Sequence, residues 1–422
     1  MERINVKAAV IGGGPSGYAA AIGLARKFGG NSTVMLERQA KTGRKLLATG
    51  NGRCNISNEN VSPEHYHGDE NIIGSVIGGF NADALKGFFT SLGVLLRSDS
   101  EGRIYPYSNQ AVTILDSLRN ECARLGVSER CSFLTRSIRR ENGRFVITSD
   151  DTEVFCEKLI IAAGSKAFPQ SGADDSGYGL LKMLGIGYKE IFPALCPIST
   201  AEKYRSLKGV RARGKVTLLA DGKALKETQG EIQFTDSGIS GICVFELSRS
   251  VSEFFLKGSI DGVTCKKLQI AADLVSSLSF PELCSYLLTC KELFGAAPAG
   301  ELLSGALNIQ LSRVIAKTCA LSEKTCSSLT ARDIKQLASA AKRLTFTPSG
   351  MGSFSSAQVC AGGVGSDEVF PDSLMSKNHK GLYICGELLD VDGDCGGFNL
   401  HFAIASGLKA AASASGGGKS LH

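Results

Sequence analysis

The chain has 422 residues, of which 47 are basic and 41 acidic, giving a net charge of +6. With 43% hydrophobic and 21% charged residues it has the make-up of a folded enzyme, not of a disordered or fibrous protein, and its length suits two or three domains. No run of about eighteen apolar residues occurs, and the first strand starts too near Met1 for a secretory signal, so a cytoplasmic protein without membrane contact is expected.

A predicted strand over 6–11 runs straight into Gly12-x-Gly14-x-x-Gly17, a helix follows over 15–28, and a second strand over 33–37 ends in Glu37. This is the pattern of a dinucleotide held on a βαβ unit. Gly12 permits a tight turn, Gly14 lets backbone approach a pyrophosphate, and Gly17 allows close helix-to-strand packing. Glu37 is placed to accept hydrogen bonds from a ribose. Pro15, Ser16 and Arg38 flank these positions and join them as candidate contacts. A Gly- and Asn-rich loop is expected to about residue 60, then helices near 82–92 and 110–125 with a short strand between. His65 and His67 flank Tyr66 and could be imagined as metal ligands, but a solvated loop is the expectation. Strands are predicted across 131–161, with Asn142-Gly143 as a hairpin turn.

Beyond Phe192, short alternating strands over 193–240, separated by Asp221-Gly222 and Gly230, suit a small antiparallel barrel or sandwich. The basic stretch Lys203, Arg205, Lys208, Arg211, Arg213 and Lys215 has little aromatic content and reads as a solvated hairpin face, which disfavours a nucleic-acid partner. From about 242 to 343 apolar residues recur three and four apart, as in helices, with Pro281 in a first helical turn. Strand signals return near 344–370. A strand over 381–385, a Gly- and Asp-rich turn and a helix from Gly397 toward 412 close the chain before a tail expected to be disordered from 413 to 422.

Fourteen cysteines are expected to stay reduced. Without any Cys-x-x-Cys there is no sign of a zinc ribbon or dithiol pair, and no metal is expected. Asp390, Asp392 and Asp394 lack the later glutamate of a calcium loop. Gly386-Glu387 follows an apolar strand, and the helix opening after Gly396-Gly397 would aim backbone N–H groups at a ring system that gains negative charge on reduction. Only one Gly-x-Gly-x-x-Gly is present, so a second dinucleotide such as a nicotinamide cofactor would have to visit transiently.

The blocks ERQAKTGRKLLATGNGRCNISN (37–58), EGRIYPYS (101–108), IIAAGSKAFPQSGADDSGYG (160–179), GEIQFTDSGISG (230–241) and GLYICGELLDVDGDCGGFNLHFA (381–403) resemble the aminoacetone oxidase family of FAD-dependent oxidoreductases. The family contains amine-oxidising flavoenzymes and NAD(P)H-dependent reductases of 3-oxo bile-acid enones. The resemblance implies an α/β fold: a Rossmann-like FAD-binding domain formed from both chain ends, with an inserted antiparallel β-barrel domain and a helical subdomain. The implied boundaries are 1–190 and 358–412 for the FAD-binding domain, 191–241 and 344–357 for the barrel and 242–343 for the helical part. Carried over by motif, Arg44, Lys45, Gly50, Asn51, Gly52, Arg53, Cys54 and Asn55 would lie at pyrophosphate and flavin, and Ala163 and Gly164 on the adenosine side. Gly386, Glu387, Asp390, Gly397, Phe398, Asn399 and Leu400 would complete the ribityl and ring contacts.

Ala163 replaces a threonine frequent in such flavoproteins, and Cys395 and His401 depart from the usual final block. His401 is a candidate acid or base and Cys54 a candidate nucleophile, with packing roles as the alternatives. The leading expectation is an NAD(P)H-dependent reductase of an enone-type small molecule. Amine oxidation releasing hydrogen peroxide, and a non-catalytic or nucleic-acid-associated flavoprotein, are the alternatives. The motifs leave the oligomeric state open.

Overall fold

In the computed structural model, which describes residues 1–416, the apolar run Ala8–Ile11 is enclosed and forms the middle of a mixed sheet. Across that sheet the order is 369–370, 375–376, 382–384, 158–161, 8–11, 33–36 and 128–130. The strands from 382–384 to 128–130 run parallel. Continuous apolar strands suit this position, because a parallel sheet is covered on both faces. The expected strand 6–11 is shorter, Ala8–Ile11, and a separate, unexpected strand precedes it. Glu2–Asn5 pairs with Thr152–Cys156 in a separate sheet, and the chain crosses over at Val6–Lys7, where the Lys7 carbonyl accepts from the N–H groups of Glu157 and Lys158, both at 3.0 Å. Periodicity shows that a segment is extended but not which neighbour it joins.

The first helix, Pro15–Phe28, and the last, Phe398–Ala414, pack against each other. Their contact is close because small residues line it. A Cβ on Gly407 would lie 2.2 Å from the Ser16 carbonyl oxygen, and one on Gly23 would lie 2.7 Å from Ala411 Cβ. The last helix continues to Ala414, past the expected start of the tail at 413, because the alanine-rich AASA run has no stop before Gly416. Residues 417–422 of that tail lie outside the described residues. The stretch expected as loop to residue 60 contains a helix over Arg44–Ala48, where Lys-Leu-Leu-Ala favours helix once Gly43 has turned the chain.

By contacts the chain forms two units, Met1–Phe192 with Gln358 onward, and Pro193–Ala357. The second unit holds an antiparallel sheet in the order 198–199, 238–240, 223–234, 211–220, 268–273 and 344–346. It curls into a half-barrel whose outer strands meet at one end. There Thr200 and Pro348 form a bridge, and Ala201 N donates to the Thr347 carbonyl at 2.8 Å. Asp221 and Gly222 make the expected hairpin turn, with φ of 49° and 84°. Gly230 does not separate strands. It lies inside one, opposite Gly214, where a Cβ would press on Cys243 Cβ at 3.4 Å in the helix Ile242–Lys257. Strand Leu268–Asp273 interrupts the region expected to be helical, its short alternation hidden between longer helical runs.

The helix Ala331–Lys342 shows how sequence fixes a boundary. The Thr330 hydroxyl accepts from Asp333 N at 3.2 Å, while the Asp333 carboxylate accepts from Thr330 N at 2.8 Å and pairs with Lys324 at 2.8 Å. Thr330→Ala is expected to lower stability by about 1 kcal/mol, seen as a lower urea midpoint. An unchanged midpoint would show that the cap contributes nothing.

Candidate active site

The three fingerprint glycines meet three different surroundings. Gly12 has φ 111°, and a Cβ there would lie 2.3 Å from the Ala162 carbonyl oxygen. A Cβ on Gly17 would lie 1.9 Å from the Gly12 carbonyl oxygen, whereas one on Gly14 would meet nothing within 4 Å. The first and last therefore lock turn, strand and helix together, and the middle one opens onto free space at the start of the helix. Pro15 and Ser16 form the first helical turn. The Glu37 carboxylate accepts from Gly13 N and Gln39 N, both at 2.8 Å, which ties the acid to the glycine turn and fixes its direction.

The end of the central strands contributes a second set. Lys45 and Glu387, 342 positions apart, form an ion pair at 2.7 Å, and Ser165 Oγ donates to the same carboxylate at 3.1 Å. Ala163 and Gly164 are half-buried beside them. Gly386 N donates to Ser406 Oγ at 3.0 Å, fastening this turn to the last helix. Arg38 is taken by Asp174 and the Gly172 carbonyl. Arg44 is exposed and donates to Gln39 Oε1 at 3.1 Å and the Gln170 carbonyl at 3.4 Å. Asp390 is enclosed and paired with Lys189 at 2.7 Å, so its carboxylate is already compensated.

Gly50, Asn51 and Gly52 make a left-handed turn with φ of 55°, 55° and 80°, and the Arg53 guanidinium lies over the Tyr105 ring, 5.0 Å from its centroid. This turn delivers Asn55, whose Oδ1 is buried without a hydrogen-bond partner, to the opening of the last helix. A Cβ on Gly397 would lie 2.7 Å from that oxygen and 2.3 Å from the Ser57 carbonyl oxygen, so only glycine fits. The helix opens there without a side-chain cap. An open face at Gly14, an orphaned acceptor at Asn55 and an uncapped helix start together fit an extended dinucleotide bearing an anionic ring.

Some expected contacts have other duties. The Phe398 ring is buried under His65, and Asn399 closes its own loop, accepting from Gly393 N at 2.8 Å and donating to the Gly393 carbonyl at 2.7 Å. Leu400 is half-buried on the same turn. His401 has no exposed surface. Its Nδ1 is 2.8 Å from Ser57 Oγ, and its Nε2 is 2.8 Å from the Phe80 carbonyl, to which it can only donate. Burial pushes this imidazole down to about 4. Cys54 is enclosed and burial pushes its thiol up to about 12, the opposite of an activated nucleophile. Both side chains thus serve packing and hydrogen bonding.

His65 and His67 do not lie in a solvated loop. His65 Nδ1 and His67 Nε2 lie 3.3 and 3.0 Å from the two oxygens of Asp394, and the His65 ring stacks on Phe398 at 4.3 Å. Their partner stands more than 300 positions away, beyond the reach of helical spacing. His65 ends a short turn, Pro63–His65, and His67 lies in the strand Tyr66–Gly68 that follows it.

A family model described as HI0933-like protein Rossmann domain matches residues 6–413. The chain is 35% identical over 410 residues to a 3-dehydro-bile acid delta(4,6)-reductase of Clostridium scindens, covering 96% of this chain and 97% of that protein. It is 25% and 26% identical to ribosomal RNA dihydrouridine synthases of Haemophilus influenzae and Escherichia coli, over 96% of this chain and 98% and 96% of theirs.

Three outcomes follow from the geometry. Gly14→Ala should fold with an unchanged melting temperature yet bind the dinucleotide at least about tenfold more weakly, a loss of about 1.4 kcal/mol. Gly17→Ala should lose both, as judged by thermal melting and cofactor content. For His401 the folded value lies below the unfolded one, so its contribution is complete above about pH 6.5 and is lost as pH falls toward 4. Over that window the native protein should lose up to about 3 kcal/mol more than His401→Gln, measured as denaturant midpoints against pH.

Proposed function

Since the chain belongs to the HI0933-like Rossmann-domain family and is an FAD-dependent oxidoreductase, we propose that it reduces a carbon–carbon double bond conjugated to a carbonyl. The substrate is a small molecule of the 3-oxo bile-acid type, with NAD(P)H as the electron source. The observation that carries this reading is the full-length likeness to a 3-dehydro-bile acid delta(4,6)-reductase. The two dihydrouridine synthases fit the same reaction class, because dihydrouridine is uridine with two hydrogens added across a double bond conjugated to a carbonyl.

When bound, FAD takes up two electrons and passes them on as a hydride. On this reading the turn Gly12–Gly17 and the start of the first helix hold the pyrophosphate through backbone N–H groups, and Glu37 holds the adenosine ribose. Gly386 and Glu387 approach the middle of the dinucleotide, with Lys45 balancing the acid, and Ala163 and Gly164 approach the adenosine side. Gly50–Asn55 and the helix opening at Gly397 receive the ring, where Asn55 accepts from an imide N–H and the helix start favours negative charge. His401 holds that helix in place through Ser57 and Phe80.

A small substrate is also supported by the basic hairpin. Lys208 pairs with Asp236 at 2.6 Å, Arg211 with Glu231 at 3.0 Å and Lys215 with Glu227 at 2.9 Å, so much of its charge is neutralised locally. In anaerobic mixing, NADH or NADPH should bleach the flavin, and a steroid 4-en-3-one should restore its colour with formation of the saturated ketone. Bleaching by an aminoketone with release of hydrogen peroxide in air, or recolouring by unmodified ribosomal RNA alone, would overturn the proposal.

A further inference from the structure

We propose that the imidazole pair His65 and His67, clamped on Asp394, supplies the proton that accompanies the hydride, with His65 as the donor and the other two as positioning residues. This rests on the reductase reading above. Saturating a conjugated double bond takes a hydride and a proton. The hydride, drawn from NAD(P)H by way of the flavin, bonds to the β-carbon, and the π pair shifts onto the carbonyl oxygen. The enolate so formed takes a proton at the α-carbon. That proton must come from a group that exchanges with water near the start of the last helix.

His401 and Cys54 are sealed from water. The clamp is open, with the side chains of His65 and His67 both 31% exposed and Asp394 20% exposed. His65 turns Nδ1 to Asp394 at 3.3 Å, so in the cationic form its other N–H, at Nε2, faces away from the carboxylate. The cluster is bound to the helix start. His65 stacks on Phe398, the first residue of the helix, the Tyr66 hydroxyl donates to the Phe398 carbonyl at 3.1 Å, and Asn399 Nδ2 donates to the Asp394 carbonyl at 3.4 Å. The other titratable groups on the surrounding elements are Glu64 beside His65, Asp69 and Glu70 at the start of the next helix, Asp392 opposite His67, Cys395 and the enclosed His401.

The test uses the FAD-loaded enzyme and the variants His65→Gln, His67→Gln and Asp394→Asn. Flavin content and reduction by NAD(P)H should match the native protein in all of them. Recolouring of the reduced flavin by a steroid 4-en-3-one should slow roughly a hundredfold in His65→Gln, with its pH profile flattened near neutrality. Histidine NMR should show His65 and His67 titrating as a coupled pair in the native protein and independently in Asp394→Asn. A native recolouring rate and pH profile in His65→Gln, or independent titration in the native protein, would overturn the proposal. If His65→Gln loses FAD, His67→Gln and Asp394→Asn, which keep the ring stack, decide by the same profile. Failure of the enone to recolour even the native enzyme would instead overturn the reductase reading, and this inference with it.

Discussion

The cofactor half of the molecule depends on a backbone-close contact between its first and last helices. Gly407 lets the last helix approach the Ser16 carbonyl, and Gly23 lets the first approach Ala411. No larger side chain fits at either place without separating the helices. The last helix then carries much of the site. Ser406 fixes the Gly386 turn, His401 reaches Ser57 and the Phe80 carbonyl, and Gly397 brings the helix start against Asn55. One element thereby sets the relative positions of pieces drawn from residues 50–58, 80 and 386, so tight packing and site geometry are a single requirement.

Charge in the cradle is arranged in local pairs. Lys45 answers Glu387, Arg38 answers Asp174, and Lys189 answers the enclosed Asp390. With these cations engaged, a pyrophosphate would depend on backbone N–H groups at the glycine turn more than on a basic cluster. The same economy appears in the core, where His401 and Cys54 are kept uncharged by burial. His65 and His67, by contrast, keep part of their surface exposed beside the start of that helix.

Where the chain's requirements are local, they were legible. Gly12 answers its own positive φ of 111° and Gly17 the Gly12 carbonyl five residues before it, and the helix Pro15–Phe28, the Asp221-Gly222 turn and the final strand and helix were likewise readable from local sequence. What escaped depends on distant partners. The crossing at Lys7 needs the strand ending at Cys156, Gly230 needs the helix beginning at Ile242, and the imidazole pair needs Asp394. The acids near His65 in sequence, Glu64, Asp69 and Glu70, are not its partner, so its pairing with Asp394 could only be found once the strands Tyr66–Gly68 and Val391–Gly393 were seen side by side.

The interlock of the two terminal helices also orders events during synthesis. The dinucleotide fingerprint leaves the ribosome first, but the helix that packs against it is made nearly four hundred residues later. Contacts so remote in sequence form late. A nascent chain therefore cannot bring its first and last helices together until both have been translated.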